Sequence, residues 1–189
     1  EYLITNNEIT ITKKNEDKYN AAIQRRVKNE PVAYITGKKE FWSEDFLIRP
    51  GVLIPRPETE LLIYKIIKFF KKKNINILDI GTGSVCILLS ILKELNLSRG
   101  IGIDISSEII NVANLNSKKL KLTHRSKFKA VDFNNFSKGK FDLIVSNPPY
   151  IPTRDIKSLS KDIINYEPIT ALDGGVDGLD LIKKVIYKS

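Results

Sequence analysis

The sequence predicts an α/β fold built on a mainly parallel sheet, and three observations carry that prediction. From Ile75 onward, short apolar stretches alternate with helical stretches of about 10–15 residues, the pattern of parallel strands joined by crossover helices. A glycine-containing turn, Asp79-Ile80-Gly81-Thr82-Gly83-Ser84, stands directly between a strand and a helix. A second loop, Asn147-Pro148-Pro149-Tyr150, closes the apolar stretch Phe141 to Ser146. In open α/β sheets, ligands bind where strands end in such loops.

The elements follow in order. Residues 16–29 predict a helix capped by Asn15, with Tyr19, Ile23 and Val27 on one face, ended by Glu30-Pro31. Residues 38–54 read as strands and turns, rich in Phe41, Trp42, Phe46, Ile48, Val52 and Ile54, with a turn at Pro50-Gly51. A helix then starts near Pro57, with Glu58 and Glu60 in its first turn and Lys71 to Lys73 in its last, each set suited to the helix dipole. Ile75–Ile80, Gly100–Asp104, Phe128–Val131 and Phe141–Ser146 are the strands of the alternation. Cys86–Leu95 and Ser107–Leu120 are its helices, the second capped by Ser106, and Leu179–Tyr187 is a closing helix. No repeat or linker-like segment interrupts the chain.

Composition narrows the chemistry. The chain has 189 residues, 42% of them hydrophobic and 28% charged, as in ordinary globular proteins. One cysteine and one histidine exclude a disulfide framework, a thiolate zinc site and most catalytic triads, and no metal is expected. Lys and Arg number 31 against 22 Asp and Glu, a net +9. That charge suits either an acidic partner, such as nucleic acid, or a merely solvated basic surface. The longest apolar run, Leu61 to Phe70, is broken by Lys65 and Lys68, so neither a membrane span nor membrane association is expected. The amino end lacks a basic signal-peptide region, and a cytoplasmic location is the expectation. Methionine is absent even at position 1, and the chain is expected to be part of a longer polypeptide.

The glycine turn lets the backbone approach a ligand at a helix N-terminus, and Asp104, at the end of the next strand, is placed to accept hydrogen bonds from ribose hydroxyls. A dinucleotide fingerprint needs a third glycine at position 86, which is Cys86; glycines at alternate positions suit S-adenosylmethionine better. The second loop suits a planar amide or exocyclic amino group. Its nitrogen lone pair is delocalised, so it is a poor nucleophile. The Asn147 side-chain oxygen and the Pro148 carbonyl can accept both of its hydrogens, raising electron density on nitrogen. Proline rings hold both acceptors in place, and Tyr150 offers a face for stacking. His124 reads as an exposed loop residue and Cys86 as a packing residue.

Longer motifs extend this reading. They are Arg25-Arg26, Glu30-Pro31-Val32-Ala33-Tyr34-Ile35-Thr36-Gly37, Glu40-Phe41-Trp42, and Pro50 through Glu60 with its Arg56-Pro57-Glu58-Thr59-Glu60 core. Tyr166-Glu167-Pro168 and Ala171 through Leu179 follow. With these motifs, nearly the whole chain resembles the HemK/PrmC family of glutamine methyltransferases, which act on peptide chain release factors. The resemblance implies a Rossmann-like, S-adenosylmethionine-dependent methyltransferase fold with an N-terminal helix and β-hairpin appendage. It implies the end of a helical N-terminal domain over 1–36, a hairpin linker over 37–56, and a methyltransferase domain over 57–189 that stops before its final strands. Gly81, Gly83 and Asp104 would hold the methionine and ribose parts of the cofactor, with Asp79, Thr82 and Ile105 among the contacts. Asp132, ending the third strand of the alternation, would bind the adenine amino group, and Phe133 would pack on the ring. Asn147, Pro148 and Tyr150 would be catalytic, with Asn147 also near the cofactor. Pro149, Pro57 and Thr59 would join them in binding the substrate glutamine, the Gly-Gly-Gln loop of a release factor. Val85 stands where the family has glycine, so its branched side chain is expected to crowd the cofactor or the helix–strand contact. Two alternatives stay open: a DNA or RNA adenine methyltransferase using the same acceptors, and a non-catalytic module with a damaged cofactor site.

Overall fold

The computed structural model describes residues 5, 6, 8–137 and 139–188. Helix α1 is Lys13–Val27, three residues earlier than the apolar pattern suggests, because Thr12 and not Asn15 caps it: the Thr12 hydroxyl accepts from the Asn15 backbone N–H. Tyr19, Ile23 and Val27 share a face as expected, but that face is exposed. The short helix α2 (Val32–Thr36) ends at Gly37, whose φ of 72° is the left-handed stop glycine allows. Strands β1 (Lys38–Phe41) and β2 (Glu44–Leu47) then pair antiparallel through a tight turn at Trp42 and Ser43, both at positive φ.

This hairpin is built into the core. Phe41, Phe46, Ile48 and Ile54 are buried in one cluster with Ile63, Ile77 and Leu88 of the following segments. A 3-10 turn at Pro57–Thr59 leads into helix α3 (Glu60–Phe70). The proline start predicted for that helix is therefore its tight entry. Lys71–Lys73 lie beyond its last turn, where Lys68 is the basic residue. Glu60 does more than complement a dipole: its carboxylate accepts from the Trp42 N–H at 2.9 Å, tying α3 to the hairpin turn.

The central sheet has four parallel strands, β3 (Asn76–Ile80), β4 (Arg99–Asp104), β5 (Ser126–Ala130) and β6 (Leu143–Ser146), in the order β5-β4-β3-β6. Helices α4 (Cys86–Glu94) and α5 (Ser107–Lys119) connect the first three, and the Ser106 hydroxyl caps α5 by accepting from Ile109 N–H. Side chains alternate along β3. Ile77 joins the cluster under α4 and the hairpin, whereas Leu78 and Ile80 join Ile103 and Phe136 in a second cluster. Both faces of the sheet are thus covered, as parallel sheets require. Strand β5 ends at Ala130, so Asp132 does not end it; Asp132 instead caps the 3-10 turn Phe133–Asn135 by accepting from Asn134 N–H. After β6 come a helix α6 (Lys161–Tyr166), flanked by 3-10 turns at Thr153–Ser158 and Ile169–Ala171, and helix α7 (Asp180–Lys188). No described helix is long and apolar enough to cross a membrane.

Candidate active site

Because chain order reverses at β3, with β4 on one side and β6 on the other, the loops leaving β3 and β6 diverge and leave a crevice between them. Ile80 pairs with Ser146 at the ends of the two strands, and the Ser146 hydroxyl donates to the Ile80 carbonyl at 2.8 Å. Both sequence motifs therefore start side by side.

The glycine turn has left-handed backbone at alternate positions: Gly81 at φ 68°, Gly83 at 53° and Val85 at 61°. Glycine takes this conformation freely; a β-branched residue pays for it, about 1–2 kcal/mol. Val85 is fully buried in the core and lies off the cavity wall. Its side chain faces the core and not the cavity, so the cost of valine falls on its own backbone. Inside the turn, Asp79 is buried behind the loop. One carboxylate oxygen accepts from the Thr82 hydroxyl at 2.6 Å, and the other has no hydrogen-bond partner among the described residues. Burial pushes the Asp79 carboxyl up to about 7, and the nearby Asp104 charge adds to this. Asp104 accepts from the backbone N–H of Gly83 and of Ser106, each at 3.2 Å, and burial raises its pKa as well. Cys86 is buried, and its thiol is pushed up to about 12 by burial, so it is no nucleophile.

A cavity of about 460 Å³ opens over these loops, in the range that holds a cofactor. Gly81, Thr82, Gly83, Asp104, Ile105, Asp132, Phe133, Asn147, Pro148, Pro149 and Thr59 all lie on its wall. Asp79 does not, since it sits beneath Thr82, and the exposed Pro57 also lies outside. Tyr150 lines a smaller, adjoining hollow, and Asn147, Pro148, Arg56, Leu53 and Ala171 belong to both walls. Neither the Asn147 side chain nor the Pro148 carbonyl is hydrogen-bonded to another described residue, so both acceptors are available where the two spaces meet. The residues fit S-adenosylmethionine: a carboxylate at the end of β4 for ribose hydroxyls, Asp132 beside the flat Phe133 ring for adenine, and backbone at a helix start.

The motifs did not tell what other residues of the site do. Glu167 is buried; it accepts from the Arg56 guanidinium at 2.6 Å and from the Ile54 N–H at 3.2 Å, joining the hairpin exit to the wall formed by Pro168 and Ala171. Leu181 of α7 completes the cavity from the far end of the chain. Gly178 lies so close to the Tyr150 carbonyl that a Cβ there would meet it at 2.4 Å, so the Gly174–Gly178 loop backs the second motif. Tyr166-Glu167-Pro168 and the glycine loop were visible as motifs, but only packing gives them these roles.

Comparison with known proteins gives the family and the fold. Residues 71–172 match a family described as methyltransferase domain, and residues 1–37 match the PrmC N-terminal domain. The chain is 43% identical over 187 residues to the release factor glutamine methyltransferase of Buchnera aphidicola subsp. Schizaphis graminum, covering 99% of this chain and 67% of that protein. It is 40% identical over 192 residues to that of Clostridium acetobutylicum, covering 67% of it, and 44% identical to that of Rhodospirillum rubrum, covering 49%. The chain thus spans about half to two thirds of such relatives. The structure of the hMettl16 catalytic domain in complex with a MAT2A 3′UTR hairpin matches at a TM-score of 0.61 and 20% identity, over 75% of this chain and 55% of that one, a likeness of fold. The four-stranded parallel sheet is a Rossmann-like methyltransferase core, and the chain belongs to the release factor glutamine methyltransferase family.

Proposed function

We propose that this protein transfers a methyl group from S-adenosylmethionine to the side-chain amide nitrogen of a glutamine in a peptide chain release factor, in the cytoplasm. The observation that carries the reading is the position of Asn147 and Pro148 on the wall common to the cofactor-sized cavity and the hollow lined by Tyr150. Its relatives' names support the substrate, and the Gly-Gly-Gln loop is the segment of it that the family resemblance implies.

When bound, S-adenosylmethionine supplies an electrophilic methyl on a positively charged sulfur. The glycine turn, Asp104, Asp132 and Phe133 would hold it, with no ligation demanded of a metal. The Asn147 side-chain oxygen and the Pro148 carbonyl would accept the two amide hydrogens of glutamine. That contact fixes the nitrogen and strengthens as positive charge develops on it. The amide becomes acidic only as the new N–C bond forms and the S–C bond breaks to leave a neutral thioether, so its proton passes to solvent water and no strong base is needed. Tyr150, 59% exposed, offers a face to a protein loop entering from solvent.

The test is to incubate the complete protein with labelled cofactor and a release factor and to locate the label by mass spectrometry. Label on glutamine of a Gly-Gly-Gln loop is the expected result. Label on adenine of DNA or RNA, with salt-sensitive binding, contradicts it. No heat or thermal shift with millimolar S-adenosylmethionine would leave only the non-catalytic module.

A further inference from the structure

We propose that Arg56 receives the α-carboxylate of S-adenosylmethionine and that Glu167 is the residue that positions it. The inference rests on the cofactor reading above and names the group that holds its amino-acid end. Three charged side chains stand on the wall of the large cavity: Asp104, Asp132 and Arg56. Asp104 ends β4 and Asp132 follows β5, at the end suited to ribose and adenine. Arg56 stands instead on the stretch of wall shared with the Tyr150 hollow, together with Asn147 and Pro148.

The ligand's chemistry matches that layout. S-adenosylmethionine carries one anionic group, the carboxylate, a short carbon chain from the sulfur and remote from adenine. Its methyl must face the Asn147 and Pro148 acceptors, which brings the amino-acid end to the same part of the wall. A cation facing the sulfonium or the ammonium would repel it; a cation facing the carboxylate attracts it. Arg56 is the cation present.

Its guanidinium is also preset. Nη2 donates to Glu167 at 2.6 Å, and the other Glu167 oxygen is taken by Ile54 N–H, so Glu167 is pinned from two sides in a buried position. A guanidinium carries five N–H donors. Those on Nε and Nη1 of Arg56 make no hydrogen bond among the described residues, which leaves them for a carboxylate.

Calorimetry of the full chain with S-adenosylmethionine and with decarboxylated S-adenosylmethionine tests this without turnover. The wild type should prefer the carboxylated form by about ten- to a hundredfold, the order of one hydrogen-bonded charge pair. Arg56→Gln should bring the two within about threefold, and Arg56→Lys should keep part of the preference. Should Arg56→Gln fail to fold with Glu167 left unpaired, the double variant Arg56→Gln, Glu167→Gln is read instead, with the same expectation. A preference undiminished in the variant, or absent from the wild type, overturns the assignment. The proposed function fails separately, when a wild type that shows the carboxylate preference methylates no release factor.

Discussion

At the residue scale, two side chains in the glycine turn are at odds with their surroundings, and each gives a test. Asp79 has one unpartnered carboxylate oxygen in a buried site, and its pKa is raised from 3.8 to about 7. Between those values the folded protein holds a proton the unfolded chain has lost, so this residue makes stability fall as pH rises from about 4 to 7, with the full loss above 7. Asp79→Asn can still accept from Thr82 and carries no charge. Urea midpoints of the variant and the wild type should therefore differ more at pH 8 than at pH 5, the variant being the more stable at pH 8. Equal differences at both values would show that Asp79 does not titrate in this window. Val85 gives the second test. Val85→Ala keeps the left-handed backbone and loses buried methyl groups, at a cost of about 1–3 kcal/mol. Val85→Gly loses one carbon more but removes about 1–2 kcal/mol of backbone strain. The glycine variant should then be at least as stable as the alanine variant, reversing the usual order, while S-adenosylmethionine affinity stays within about threefold. The existence of the turn and the fit of its glycines were legible in the sequence. That valine takes a left-handed conformation facing the core was not, because nothing in one sequence tells which way a residue of that loop points.

At the element scale, the hairpin is fastened to the sheet's helices by side chains that sequence patterns do not single out. Asn116 of α5 is buried; its amide donates to the carbonyls of Leu47 and Ser84 and accepts from the Leu47 N–H, so it joins β2 to the glycine turn. The Trp42 indole donates to Glu94, and Lys93 pairs with Glu44. Asn116→Ala leaves three backbone groups without their partner; the buried Ser84 carbonyl so left costs about 1–3 kcal/mol, and the two half-buried Leu47 groups, which water can reach, cost less. Chemical denaturation should show a loss of about 2–4 kcal/mol, and a loss below about 1 kcal/mol would show that Asn116 is not one of the fastenings of the hairpin. The strands and main helices were legible within a few residues, since alternating apolar runs and caps are local signals. Helix α6 and the 3-10 turns around it were not, because they are short and held by contacts to distant segments. The Gly174–Gly178 loop is one such contact, with Gly178 against Tyr150.

At the scale of the whole molecule, the site is assembled from the hairpin exit at Leu53 to Arg56, the loops of β3, β4 and β6, the Pro168 to Ala171 turn, and Leu181 near the end of the described chain. Ligand in this cavity bridges parts far apart in sequence, so S-adenosylmethionine at a hundred times its Kd should stabilise the fold by about 2.7 kcal/mol, read as a shift of the urea midpoint. The meeting of Asn147 and Pro148 with the glycine turn followed from the sequence, because parallel strands deliver their loops to one edge. The Arg56–Glu167 clasp did not, since it links residues more than a hundred positions apart. The central claim is that Asn147 and Pro148 hold the reacting amide between two spaces, and single-turnover methylation of a release factor by Asn147→Ala tests it most directly. The account predicts a methyl-transfer rate lower by about a hundredfold or more, as for loss of one oxyanion-hole donor, with S-adenosylmethionine affinity little changed. A rate within about threefold of wild type, worth less than 1 kcal/mol, would contradict it.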